Sequence, residues 1–298
     1  MKYKEKIKHF LDKKSDKQKI IIIYGPTAAG KTAMSIDIAK ELNTEIISTD
    51  SRQIFKYMDV GTAKIKKEEM QGVKHHMIDI VEPDYTFSVG EYKAEAEKII
   101  NKLHESGKIP VLVGGTGLYI DSLIYDFDIP KVPADLGLRG ELEIEAKEMG
   151  NEHLYNKLVE LDPEYAKELH PNNVQYVIRA LEVKMLTGKS KADFRKKKVL
   201  KYETLFLTPY VDDNRQELYN RINMRVDMMF EQGLLQEFKK LIDMGYSKET
   251  FAMKSIGYEE LFDYIEGKTS LEETKELIKK NTRNYAKRQL TWFRRYDN

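Results

Sequence analysis

The chain has 298 residues, enough for one large or two modest domains, and its 50 Lys+Arg against 49 Asp+Glu leave a net charge of only +1. It contains no cysteine, which excludes disulfides, Cys-ligated zinc and a thiol nucleophile and fits a reducing, cytoplasmic setting. No apolar run approaches membrane-span length, and the Lys-rich start lacks the apolar core of a secretion signal, so a soluble protein with no membrane partner is expected.

Residues 1–18 alternate Lys with a few apolar side chains and predict a short amphipathic helix or a frayed basic arm, to which no chemistry is assigned. Strands are predicted at 19–24, 45–49, 76–80, 110–113 and 203–207, separated mostly by helical patterns such as 89–105. Alternation of strand and helix predicts an α/β fold: a P-loop-type parallel sheet with flanking helices. Between 131 and 199 the alternation stops, and three or so helical patterns follow one another, broken at Pro163, Pro171 and Thr187-Gly188. An inserted all-helical domain is predicted there, leaving 19–130 and 200–298 as the core. Helix returns over 215–244 and from 271 onward, punctuated by Gly245, Gly257 and Gly267. Charge is unevenly spread: Glu141, Glu143, Glu145, Glu148, Glu152, Glu160, Asp162 and Glu164 lie in an acidic stretch, whereas 189–201 and the C-terminus are basic.

The segment Gly25-Pro26-Thr27-Ala28-Ala29-Gly30-Lys31-Thr32 matches the phosphate-loop pattern G-x-x-x-x-G-K-[ST]. It follows the apolar run Ile20-Ile21-Ile22-Ile23-Tyr24 and precedes Ala33, Met34, Ile36, Ile38 and Ala39 at helical spacing, so strand, loop and helix are all present. Glycines let successive N–H groups turn toward phosphate oxygens, and the positive end of the following helix favours an anion. Lys31 adds a point charge, and the Thr32 hydroxyl suits Mg²⁺. A phosphate-bearing ligand, a nucleotide such as ATP or a diphosphate, is expected, with the reaction type open.

Ligands of open parallel sheets sit beyond the carboxyl ends of the strands. That rule nominates the loop at Gly25, the segment 48–53, the region of Asp79, and Gly114-Gly115-Thr116-Gly117. Asp50 ends the second predicted strand, where it would serve as a proton acceptor beside an electrophile, cap the next turn, or order a magnesium shell. Asp79 is the weaker acidic candidate, for Mg²⁺ support. Thr116 would either contact a ligand or simply lie in a tight turn. Arg221 and Arg225, four apart on a helical segment, predict either a polyanion-binding stripe or a solvated face paired with Glu217 and Asp227. Near the C-terminus Arg283, Lys287, Arg288, Arg294 and Arg295 interleave with Tyr285, Trp292, Phe293 and Tyr296, a pattern shared by RNA surfaces and by amphipathic terminal helices; Trp292 and Phe293 are placed in the core. The histidines offer no metal site by spacing.

Taken together, the phosphate loop, Asp50-Ser51-Arg52-Gln53, Asp59-Val60-Gly61-Thr62-Ala63-Lys64 and Gly114-Gly115-Thr116-Gly117-Leu118-Tyr119 resemble the tRNA isopentenyl transferase family. Gln175-Tyr176-Val177-Ile178-Arg179-Ala180-Leu181-Glu182, Ile256-Gly257-Tyr258-Glu259-Glu260 and Ala286-Lys287-Arg288-Gln289-Leu290-Thr291-Trp292-Phe293 resemble its later motifs in the same order. The resemblance implies transfer of a dimethylallyl group from dimethylallyl diphosphate to the exocyclic N6 amine of the adenosine beside the anticodon of a tRNA. It also implies Mg²⁺ as cofactor and the anticodon stem-loop as partner; a monomer is expected. By resemblance Lys31 and the loop 25–32 hold the diphosphate with Arg221, Thr32 helps hold Mg²⁺, Asp50 is the general base, and Arg225 stabilises the departing diphosphate. Thr116 becomes a substrate contact; Asp50, Ser51, Arg52 and Gln53 read the adenosine; Arg139, Gln175, Arg179, Lys287 and Arg288 contact the RNA. The basic run Arg195-Lys196-Lys197-Lys198 is either a clamp on the RNA or a solvated charge run. Ala29 and Phe55 depart from the family's frequent residues without removing a catalytic group. Prenyl transfer to free AMP or ATP, a P-loop kinase for a small metabolite, and a non-catalytic RNA binder are the alternatives.

Overall fold

The computed structural model describes residues 2–125, 135–194, 199–210 and 215–296. It divides into two compact units, Met1–Ile124 with Leu200–Asn298, and Tyr125–Val199. The second unit thus begins at Tyr125 rather than at 131, and the basic run 195–198 lies outside the described residues.

In the first unit, α1 (Lys2–Asp12), β1 (Lys19–Tyr24), α2 (Lys31–Glu41), β2 (Ile46–Ser48), β3 (His75–His76), α3 (Val89–Glu105), β4 (Val111–Gly114) and α4 (Gly117–Ile124) follow in chain order. The second unit holds α5 (Leu136–Met149), α6 (Asn151–Leu161), α7 (Pro163–Ala166) and α8 (Val174–Thr187). The first unit then resumes with β5 (Glu203–Leu207), α9 (Arg215–Glu231), α10 (Leu234–Asp243), α11 (Glu259–Ile265) and α12 (Leu271–Phe293).

The sheet has five strands in the order β3-β2-β4-β1-β5, with every pairing parallel. Strands covered on both faces need continuous apolar sequence, and Ile20, Ile21, Ile22 and Ile23 of the central β1 are all 0% exposed. Capping boxes fix the starts of α3 and α12: Ser88 with Glu91, and Ser270 with Glu273.

Of the two readings of the N-terminal segment, the amphipathic helix holds, with Ile7 and Phe10 of α1 buried in the core cluster of β1 and α2. Two other local expectations need correction. The strand predicted at 76–80 contracts to His75–His76, since Met77 and Asp79 take left-handed backbone (φ 62° and 54°) that no strand can continue through. The helical run 215–244 is two helices, broken at Gly233 with φ 100°.

The second unit packs α5 to α8 around Leu142, Leu154, Leu158, Tyr165, Val177, Ile178 and Leu181. The Glu182 carboxylate is fully buried within it and receives Arg139 through Nε and Nη2, each at 2.9 Å, together with Arg179. Burial would raise this carboxyl, but the hydrogen bonds from Arg139, Arg179 and the Asp135 N–H outweigh it and hold the group below the ordinary range.

Candidate functional site

A cavity of about 540 Å³ opens beyond the carboxyl ends of β1, β2 and β4. Its walls include Thr27–Thr32 of the phosphate loop, Asp50–Gln53, Gly61–Ala63, Gly114 and Gly115, Arg225 of α9, and Tyr285, Arg288 and Gln289 of α12. Thr27 and Gln289, 262 residues apart in sequence, therefore line one space, because the sheet gathers its strand ends at one edge and α12 packs against the loops there.

The loop starts from β1 and turns through left-handed Ala28 (φ 62°) and Gly30 (φ 87°) before α2 begins at Lys31. Lys31 folds its ammonium back over the loop, donating to the carbonyls of Gly25 (3.0 Å) and Pro26 (2.7 Å). Burial lowers its pKa to about 8; Asp50 opposes the shift and Arg225 adds to it. Thr32 faces the cavity, whereas Gly25 and Pro26 lie behind it as the carbonyls that hold Lys31.

Asp50 caps the turn that follows it and also lines the cavity. Its Oδ1 accepts the N–H groups of Arg52 (2.8 Å) and Gln53 (3.4 Å), an Asx-type turn cap, while the residue lines the cavity. Ser51 and Arg52 line it too, and Arg52 stacks its guanidinium over Phe251 at 5.5 Å. Arg225 lines the cavity as well; burial lowers its pKa and the charge of Asp50 works against that shift.

Several predicted residues stand elsewhere. Arg221, a turn before Arg225, is exposed and paired with Glu217, so the two guanidiniums do not form one stripe in the cavity. Thr116 is outside the cavity lining but bonds to residues within it: its Oγ accepts the Ser51 N–H at 3.0 Å and donates to the Ser51 hydroxyl at 3.2 Å, and its side chain shares a hydrogen bond with Tyr285. The glycines before it take the front position, and a Cβ on Gly114 would meet Thr49 Oγ1 at 2.3 Å. Arg139 and Arg179 spend their guanidiniums on Glu182, and Gln175 donates to Glu143 at 3.1 Å. Lys287 is exposed with its ammonium 5.9 Å from the Tyr219 ring, while Arg288 reaches the cavity wall. Phe293 is buried and Trp292 half-buried against Gly117, as placed.

Sequence reasoning missed Gln289 and Tyr285. Gln289 Oε1 accepts the Thr27 N–H and its Nε2 donates to the Gly115 carbonyl, both at 2.9 Å, so α12 joins two ligand-facing loops. The signal was the spacing of Tyr285, Gln289 and Trp292, one stripe of α12, of which Gln289 and Trp292 face the glycines of the 114–117 turn. Oxygen donors of Thr32 and Asp50 face the same space; among the described residues no cluster of three or more His, Cys, Asp or Glu side chains could enclose a metal. No helix among those residues is long and apolar enough to cross a membrane.

Comparison with known proteins agrees with this geometry. The family model described as IPP transferase matches residues 53–296. A tRNA dimethylallyltransferase of Alkaliphilus oremlandii is 53% identical over 95% of this chain and 90% of its own. The crystal structure of tRNA delta(2)-isopentenylpyrophosphate transferase from Staphylococcus epidermidis is 42% identical, covers 93% of this chain and 90% of its own, and superposes with a TM-score of 0.67. That of a eukaryotic dimethylallyltransferase acting on tRNA is 33% identical over 93% of this chain and 70% of its own, with a TM-score of 0.80. With motifs, sheet order and cavity on one side and these matches on the other, the chain belongs to the IPP transferase family.

Proposed function

We propose that this chain is a tRNA dimethylallyltransferase, moving a dimethylallyl group from dimethylallyl diphosphate to the N6 amine of the adenosine beside a tRNA anticodon. The observation that carries the proposal is the meeting of Asp50, Lys31 and Arg225 on one cavity that opens beyond the phosphate loop. The names and identities of the relatives support the same substrates.

The chemistry needs one base and several cations. The N6 lone pair attacks C1 of the prenyl group, the C1–O bond breaks, and its electron pair leaves with the diphosphate. An aromatic amine is a weak nucleophile, so Asp50 accepts the N6 proton as the new bond forms. Lys31, Arg225 and the loop amides collect the charge that develops on the leaving oxygens. Mg²⁺, which keeps several waters and takes few protein ligands, fits the Thr32 hydroxyl and would neutralise diphosphate charge. An amine inside a structured anticodon loop is reached only after its base leaves the stack, and Ser51, Arg52 and Gln53 line the space that would receive it.

Incubation with Mg²⁺, labelled dimethylallyl diphosphate and either unmodified tRNA or AMP tests the assignment. Label on tRNA alone, lost with Asp50→Ala, is expected. Label on AMP would move the chain to nucleotide prenylation, and transfer to neither acceptor would overturn the proposal.

A further inference from the structure

The segment Asp59–Ala63 lies outside the sheet's strands, yet Gly61, Thr62 and Ala63 form one wall of the cavity. The turn closes on itself only through the Ala63 and Lys64 N–H groups, which bond to the Val60 and Asp59 carbonyls, so the N–H groups of Asp59, Val60 and Gly61 take a side-chain partner. The holding group is Glu237, on α10, behind the wall and outside the cavity lining. Its Oε2 accepts the N–H groups of Asp59 and Val60, both at 2.8 Å. Its Oε1 accepts the Gly61 N–H at 3.0 Å and the Tyr258 hydroxyl at 2.6 Å. Both oxygens are thus acceptors twice over, so the site requires a carboxylate. Tyr258 also explains the glycine: a Cβ on Gly61 would lie 2.4 Å from the ring carbon Cζ.

From the wall the linkage continues forward. Gln53 Nε2 donates to the carbonyls of Thr62 (3.4 Å) and Ala63 (3.3 Å), and the Gln53 N–H donates to Asp50 Oδ1 at 3.4 Å. Lys64, whose side chain is only 4% exposed, pins the far end through Asp59 (2.7 Å), Asp79 (2.5 Å) and the Phe55 carbonyl (2.7 Å). We infer that Glu237 is a positioning residue for the transfer reaction: by gathering three successive amides it sets the Asp59–Ala63 wall, and through Gln53 it sets the place of the Asp50 carboxylate. The kinetic consequence rests on the prenyl-transfer proposal; the geometric one does not.

Glu237→Gln is the discriminating variant, since it keeps size and packing but puts an NH₂ where each oxygen accepts two protons. Hydrogen exchange read by mass spectrometry should show faster exchange in Glu237→Gln for amides 59–61 and also for 52 and 53, with the phosphate loop unchanged. Unchanged exchange at 52 and 53 overturns the inference whatever the activity. In the transfer assay kcat should fall about 10- to 100-fold, as for a misplaced reacting group, with KM for dimethylallyl diphosphate within about twofold. Combination with Gln53→Ala should cost little more than either change alone, because both act along one path. Multiplying effects, or a wild-type kcat in Glu237→Gln, would overturn the role of Glu237. Absence of transfer by the wild type in the same assay would instead reject the prenyl-transfer proposal, leaving the exchange result to decide the inference.

Discussion

Arg221 and Arg225 differ by one helical turn and yet have different tasks, because only Arg225 reaches the cavity while Arg221 answers Glu217 in solvent. Arg225→Ala should therefore lower kcat about 100-fold or more, the scale of losing one preorganised charge contact, whereas Arg221→Ala should stay within about threefold. Steady-state transfer rates decide; equal losses would return Arg221 to the cavity. Lys31 makes a second prediction at this scale. Its pKa is depressed to about 8, so it is charged below that value and loses its proton as pH rises through it. An anion favours the charged form, so diphosphate affinity should weaken from pH 7 to 9 in wild type beyond any change seen in Lys31→Arg, whose guanidinium stays charged. Calorimetric titration with inorganic diphosphate measures both slopes, and parallel slopes would exclude Lys31 as the titrating group.

At the scale of elements, α12 contributes Tyr285, Arg288 and Gln289 to the cavity and ties it shut through Gln289. Gln289→Ala leaves the Thr27 N–H and the Gly115 carbonyl without that partner, a loss of about 1–3 kcal/mol where the groups stay buried. Urea unfolding should show this cost, and a midpoint equal to wild type would mean the loops find other partners. In the helical unit, Glu182 of α8 is bonded across to Arg139 of α5, and Arg179, one turn earlier on α8, braces the same carboxylate. Its folded-state pKa lies below the ordinary value, so its stabilisation is complete above about pH 4.3 and is lost as pH falls through the folded value. Hydrogen exchange of α5 and α8 should rise on acidification in wild type; in Glu182→Gln it should be faster at neutral pH and less acid-sensitive. A variant that tracks wild type at every pH would show that the pair holds nothing.

Over the whole molecule the net charge is only +1, so any grip on tRNA has to come from where cations stand rather than from their sum. The strand–loop–helix unit 19–41 and the parallel sheet were legible because both are local: an isoleucine run buried on two faces, a glycine loop and a helical repeat each declare themselves within a dozen or so residues. Lys31 and Asp50 stand within family motifs that sequence order alone reveals, whereas Arg225 lies outside them and reaches the cavity only through the packing of α9. What the sequence could not convey is which partner each polar group finds. Thr116 bonds to Ser51, Arg139 and Arg179 pair with a buried glutamate, and Gln289 and Glu237 hold the cavity walls. Periodicity reports which face of an element is apolar, and that was enough for the fold. A hydrogen bond between residues 27 and 289, or 61 and 237, depends on how separate elements pack, and only the tertiary structure decides it.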